Sequence, residues 1–171
     1  MKVEDDKLLV RKFLQTRNEN FFRQLYRQHT QHLYRLAIHL TYGDRPGSED
    51  VIQEMWTRAI YHLAEFRWQS SFKTWLSGIL INCCREHNRK QTISHTSIND
   101  LENLLANSHN TENKMDLQRA LTLLPNGYRE VLILHDMEGY KHEEIGILLG
   151  INEGTSKSQL FYARRAIKKL L

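Results

Sequence analysis

The stretch Glu138-Gly139-Tyr140-Lys141-His142-Glu143-Glu144-Ile145-Gly146-Ile147-Leu148-Leu149-Gly150-Ile151-Asn152-Glu153-Gly154-Thr155-Ser156-Lys157-Ser158 decides the fold. It reads as a short helix from Lys141 to Leu149, a turn at Gly150-Ile151-Asn152, and a second helix from Glu153 to Leu170 with Asn152 as its N-cap. Two helices joined by a tight glycine-containing turn form a helix-turn-helix. The second helix has a buried seam at Leu160, Ala163, Ile167 and Leu170, spaced i, i+3, i+7, i+10. Its other faces carry Lys157, Ser158, Phe161, Tyr162, Arg164, Arg165, Lys168 and Lys169. From Gly154 to Leu171 there are five basic residues and no acid. A helix with one apolar stripe and a basic, aromatic outer surface packs on its own domain and meets a polyanion. A merely solvated face seldom shows Phe beside Tyr. The start of this helix would enter a major groove, where Lys157 and Ser158 reach base edges or phosphates and Phe161 meets a thymine methyl.

Working outward, Tyr128 to Met137 reads as another helix, set off by Pro125-Asn126-Gly127, and Glu112 to Leu124 as one more. Thr92 to Asn110 loses helical rhythm and is rich in Ser, Asn, His and Thr, with one apolar cluster at Leu101, Leu104 and Leu105. The N-terminal half reads as four helices. The first covers Lys7 to Gln15. The second runs from an Asn18 cap to Tyr42, with Phe21, Phe22, Leu25, Tyr26, Leu33, Leu36, Ala37 and Leu40 on its apolar side. The third is capped by Ser48 and buries Val51, Ile52, Met55, Trp56, Ala59, Ile60 and Leu63. A loop, Phe66 to Ser71, precedes the fourth, Ser71 to Lys90, which buries Phe72, Trp75, Leu76, Ile79, Leu80 and Cys83. The expected class is therefore all-α: two small helical domains, 1–92 and 114–171, joined by a flexible linker over 93–113.

The 171 residues carry 24 Lys and Arg against 20 Asp and Glu, a net charge of +4. The distribution says more than the total. Residues 67–92 hold five basic side chains and one acid, whereas 93–113 hold three acids and no Lys or Arg. Two prolines and eight glycines argue against an all-β chain. The polar start and the lack of a long apolar run predict no leader, no membrane insertion and a cytoplasmic protein. Cys83 and Cys84 are adjacent, so a bond between them is geometrically unfavourable, and reduced thiols fit that compartment.

Three further patterns bear on function. Asp50, Gln53 and Glu54, with Arg58, form an outward stripe on the third helix that reads equally as solvent-facing or as a docking face. On the fourth helix Asn82, Arg85 and Arg89 share one face, an amide beside two guanidinium groups, suited to reading a strand edge and holding phosphate. Trp68 near its start is open between core and base stacking. The pairs His29/His32 and Cys83, Cys84/His87 fall short of the three or four convergent ligands of a zinc site. His135-Asp136 resembles a phosphohydrolase dipeptide without the supporting histidines. No catalytic residues, metal or cofactor are expected, and an enzyme is disfavoured.

Two blocks in order resemble the extracytoplasmic-function (ECF) group of bacterial sigma factors. The first is Glu49-Asp50-Val51-Ile52-Gln53-Glu54-Met55-Trp56, Phe66-Arg67, Ser71 to Leu76, and Ile79 to Asn82 with Arg85. The second is Leu124-Pro125, Tyr128 to Leu132, Glu138-Gly139-Tyr140, Glu144-Ile145, Leu149 to Ile151 and Gly154 to Ser158. The resemblance spans Phe21 to Leu170. It implies a subunit that binds core RNA polymerase, through Asp50, Gln53 and Glu54 on the clamp helices of the largest subunit, and directs promoter-specific initiation. It implies capture of the −10 strand by Trp68, Asn82, Arg85 and Arg89, and reading of the −35 duplex by Lys157, Ser158, Phe161, Tyr162, Arg164 and Arg165. Promoter DNA and an anti-sigma factor are the implied partners, and the uncharged-to-acidic linker would thread near the polymerase active-site channel as a nucleic-acid mimic. Ser156, Gln159 and Tyr162 depart from the commoner Val, Arg and Arg, which leaves the −35 sequence open. Gly146 stands where Ala is usual; either small residue is expected to let the two helices pack closely. The competing reading is a dimeric helix-turn-helix regulator with an N-terminal helical sensor domain, which predicts a palindromic duplex site.

Overall fold

A computed structural model describes residues 5–94 and 117–171. The linker expected over 93–113, its Leu101, Leu104 and Leu105 cluster, and the helix start near Glu112 lie outside these, except that Ile93 and Ser94 continue a helix. Among the described residues every regular element is helical.

Four helices build the N-terminal module: α1 (Asp6–Thr16), α2 (Glu19–Leu40), α3 (Arg45–His62) and α4 (Phe72–Ser94). α2 packs on α1, α3 and α4, and α3 on α4. Leu25, Leu33, Leu36, Met55, Leu76 and Leu80 are almost wholly removed from water and form the centre of this core. Asn18 caps α2 as expected, its side chain accepting from the Asn20 amide at 3.0 Å. Two expectations fail. α3 begins at Arg45, not after Ser48: Asp44 is the cap, accepting from the Gly47 amide at 3.0 Å, and Pro46 sits in the first turn where its missing N–H costs nothing. Ser48 is buried instead and bonds the Thr41 hydroxyl at 2.7 Å. Ile60, expected in the core, is exposed, because the seam follows Trp56, Ala59 and Leu63 and Ile60 falls one position, about 100°, beyond it.

The C-terminal module comprises α5 (Leu117–Thr122), α6 (Asn126–Leu132), α7 (His142–Leu149) and α8 (Glu153–Leu170). Asn126 and Gly127, expected to separate helices, form the first turn of α6 behind Pro125. α6 widens into a single π turn over Ile133–Met137, marked by the Glu138 amide donating to the Ile133 carbonyl at 3.1 Å. Val131, Ile133, Leu134 and Ile145 are buried together with Leu160 and Ala163 of α8; Ile167 and Leu170, expected in the same buried seam, are only partly covered. Gly150 adopts φ +69°, the left-handed conformation that closes α7, and the Ile151 amide returns to the Gly146 carbonyl at 3.0 Å. Asn152 caps α8 by accepting from the Thr155 amide at 2.7 Å. A methyl on Gly146 would lie 2.8 Å from the Ile151 carbonyl oxygen, so alanine there needs the turn to shift, contrary to the expectation that either small residue fits.

Candidate nucleic-acid interface

The outer face of α8 is open. Phe161 and Tyr162 are more than half or half exposed, at 58% and 50%, although both rings are large and apolar. Ring contacts hold them: Tyr162 stacks on Tyr128 with centroids 6.1 Å apart, and Phe161 meets Tyr162 edge-on at 5.4 Å. Lys157 is exposed and pairs with Glu153 one turn back at 2.6 Å, which holds the Glu153 carboxyl below its ordinary range. Ser158 caps inward on the Thr155 carbonyl at 3.0 Å, leaving its oxygen lone pairs available. Arg165, Lys168 and Lys169 are exposed on the same helix. Arg164 differs: it forms a bidentate pair with Asp136 at 2.9 and 2.6 Å, which lowers the Asp136 carboxyl pKa and raises that of the guanidinium. Asp136 lies within the π turn.

His142, opening α7, shares a shallow groove of about 350 Å³ with Lys157, Phe161, Arg165 and Lys168. Its ring stacks on His135 at 4.6 Å, and its Nδ1 lies 2.9 Å from the Ser156 hydroxyl, fixing the start of α8. Local pattern does not reveal this support, because it joins His135, His142 and Ser156 across three elements. His135 also meets Asp136 at 2.7 Å, so the dipeptide closes on itself.

On the N-terminal module the stripe Asp50, Gln53 and Glu54 is exposed along α3. Glu54 holds Arg58 at 2.7 Å, and Arg58 holds Glu86 of α4 through two bonds of 2.8 and 2.7 Å, so the stripe has a fixed edge. Trp68 sits half-buried at φ +58° in an aromatic box: Phe66 is 4.7 Å away, Phe72 6.1 Å, and Phe66 stacks on Trp75 at 4.7 Å. A non-glycine residue in the left-handed region is uncommon and costs energy, so the box holds this loop in a set shape. Phe72 is core, whereas Trp75 is only partly buried.

Asn82 and Arg89 are exposed on α4. Arg85 is not alone: it forms a bidentate pair with Glu130 of α6 at 2.9 and 2.7 Å, which raises the guanidinium pKa. Around that pair lies a seam between the modules that local sequence pattern does not reveal. The Ser77 and Tyr140 hydroxyls meet at 2.8 Å in a buried spot, and burial raises the Tyr140 phenol pKa. His32 of α2 contacts Glu138 at 3.0 Å. The Arg129 guanidinium lies 3.9 Å over the Tyr42 ring, and Tyr42 donates to Asn126 at 3.0 Å. Cys83 and Cys84 are free and buried; burial pushes the Cys83 thiol up to about 11 and raises Cys84 as well, so neither is an ionised nucleophile near neutrality.

Comparison with known proteins gives one answer from both halves. Sigma-70 region 2 matches residues 25–93 and Sigma-70, region 4 matches residues 114–167. The ECF RNA polymerase sigma factor SigM of Mycobacterium tuberculosis is 31% identical over 88% of this chain and 76% of its own length. SigM of Bacillus subtilis is 31% identical over 86% of this chain and 93% of its own. In fold, the chain is similar to the sigma factor RpoE of Bartonella quintana, solved with the anti-sigma factor NepR, at a TM-score of 0.69, 24% identity, and coverage of 90% and 97% of the two chains. It is likewise similar to CnrH, solved with the cytosolic domain of CnrY, at a TM-score of 0.71, 24% identity, and coverage of 98% and 97%. The helix-turn-helix behind an exposed basic-aromatic helix and the four-helix module before it are thus the two parts of one kind of protein, and the chain belongs to the ECF sigma factors of the sigma-70 family.

Proposed function

We infer that the chain binds core RNA polymerase and directs it to promoters carrying −35 and −10 elements, with a separate module reading each. The observation that carries this reading is the open face of α8, where Lys157, Phe161 and Tyr162 stand exposed at the start of the second helix of a helix-turn-helix. Groups so placed meet base edges and phosphates of a major groove. In this reading Lys157, Ser158, Phe161, Tyr162 and Arg165 contact the −35 duplex, while Arg164, braced by Asp136, sets the tilt of the helix and meets phosphate at its edge. Asn82, Arg85, Arg89 and the loop around Trp68 take the −10 strand. Asp50, Gln53 and Glu54 offer carboxylates and an amide to the clamp helices of the largest polymerase subunit.

Sigma factors are transcription initiation factors rather than enzymes, and the work of this chain is recognition. Among the described residues no helix is long and apolar enough to cross a membrane. Cytoplasmic residence follows from the polymerase partner. An anti-sigma factor is a further proposed partner, supported by the solved complexes of similar folds.

The test is transcription. Purified chain added to core RNA polymerase on a library of bacterial genomic fragments should yield transcripts from a defined set of start sites that core alone does not use. Absence of any new start site, together with no association with core, overturns the reading; a stable dimer bound to a palindromic duplex would favour a repressor instead.

A further inference from the structure

Three rings run in a row across the C-terminal module. Tyr128, in the first turn of α6, lies against Tyr162 of α8 with the two planes only 17° from parallel. Phe161 meets the far side of this pair edge-on, its plane at 77° to that of Tyr162. α6 presses on α8 beside the stack, since a methyl on Gly127 would lie 3.1 Å from the Gln159 amide nitrogen. Tyr128 is partly buried and packed on the core, so its ring is a fixed wall, whereas Phe161 and Tyr162 stay half open to water. Ser158, Phe161, Tyr162 and Arg165 fall at i, i+3, i+4 and i+7 and share one face of the helix.

The surroundings of the two open rings say what they meet. Lys157, Arg165, Lys168 and Lys169 are exposed on the same helix, so the rings are carried to a polyanion. In the major groove of a duplex the base faces are stacked on one another and out of reach. A ring entering there finds base edges only, and thymine alone presents an apolar group on its edge, the C5 methyl.

We propose that Tyr162, held in place by Tyr128, reads a thymine methyl in the −35 duplex beside the one met by Phe161, so that the two rings form a ledge selecting neighbouring thymines. This rests on the promoter reading above and names the bases that reading leaves open. Tyr162 is the specificity-determining residue and Tyr128 the positioning residue behind it. An exposed tyrosine would move among staggered rotamers, and the stack on Tyr128 selects one of them before DNA arrives.

The test uses holoenzyme assembled from the full chain and core polymerase, with a promoter duplex found by the transcription experiment as probe. Deoxyuridine replaces the thymines of the −35 element one at a time; it pairs as thymine does and lacks only the methyl. For the parent, two of these replacements should each weaken binding about threefold, close to the worth of one methyl taken out of water. Tyr162→Ala should bind thymine and deoxyuridine equally at one of the two positions and keep the discrimination at the other. Tyr162→Phe should discriminate as the parent does, because the ring and not the hydroxyl carries the reading. Tyr128→Leu keeps an apolar, helix-favouring side chain and removes the stack; it should lower the thymine-to-deoxyuridine ratio at the Tyr162 position, and Tyr128→Phe should restore it. A purely structural role for Tyr128 would weaken both duplexes alike and leave the ratio unmoved, which would overturn the positioning. Indifference of the parent to every −35 methyl, equal discrimination in Tyr162→Ala and parent, or its loss in Tyr162→Phe would each overturn the ledge while promoter-dependent transcription still stood. Loss of sequence-dependent initiation itself would instead strike the promoter reading.

Discussion

The outer faces of α8 and α4 carry related chemistry, and the fold treats them differently. On α8, Lys157 pairs with Glu153 on its own helix, and Phe161 and Tyr162 meet each other and Tyr128 of the same module. On α4, Arg85 is paired across 45 residues of sequence with Glu130. The first face stands open, whereas the second has one of its basic groups engaged by the other module. The difference separates two kinds of recognition. Duplex DNA offers its major groove at all times, whereas an unpaired −10 strand exists only once the polymerase has melted it.

The largest blow to the α8 side of this comparison comes from the turn beneath it. Gly146 lets the helices of the motif touch, because a methyl there already lies 2.8 Å from the backbone oxygen of Ile151. Gly146→Val adds two more carbons against that rigid carbonyl and should destabilise the module by about 3 kcal/mol. Thermal unfolding should shift down by several degrees, and binding to a −35 duplex should drop with it. Gly146→Ala should do the same to a smaller degree. Unchanged melting of the valine variant would mean that the turn relaxes freely.

Much of this architecture was legible in the sequence, and the reasons it was not complete are physical. The seam of α8, the Asn18 and Asn152 caps and the exposed stripe of α3 are local facts, set by residues three or four positions apart, and pattern reading finds them. The start of α3 was misplaced because Asp44 and Ser48 are both good caps, and only the buried Thr41–Ser48 contact removes Ser48 from the role. Ile60 was misassigned because an apolar residue one step past a seam looks like part of it. The proposed division of labour between modules rests on the family resemblance. The seam between the modules is invisible to local pattern for a different reason: Arg85–Glu130, Ser77–Tyr140 and His32–Glu138 join residues far apart in the chain.

Single side chains sharpen the contrast between the two faces. Asn82→Ala on α4 should leave core binding unchanged and slow open-complex formation about tenfold, roughly 1.4 kcal/mol, the loss of one good strand contact. Permanganate footprinting of the melted region at fixed sigma and core concentrations would read it. Lys157→Ala on α8 should act earlier, weakening duplex binding on the order of fivefold and reducing the salt slope by about one. Part of the charge is already offset by Glu153, which keeps the loss modest. If the two variants instead fail at the same step, the modules do not divide recognition as proposed.

The smallest expected effect is a pH dependence of the closed form, in which the seam between the modules is made, and its sign follows from His32. Burial, followed by the positive charges of Lys73 on α4 and of Arg35 and His29 on α2, lowers the imidazole to about 4. Glu138, facing it from the C-terminal module, is raised by burial against the opposing pull of Lys73 and Arg35. The closed form therefore holds His32 neutral. As pH falls below the ordinary 6.5 of an exposed histidine, any form in which His32 regains water takes up a proton that the closed form refuses, so the closed form loses ground. Lower still, Glu138 takes its own proton in the closed form before it would in the open one, and the slope flattens. Between about pH 7 and 6 the open population should rise about threefold. Paired fluorophores, one on each module of the full chain, would follow it, and His32→Gln should abolish the rise. An equal rise in parent and variant would transfer the titration from His32 to another group.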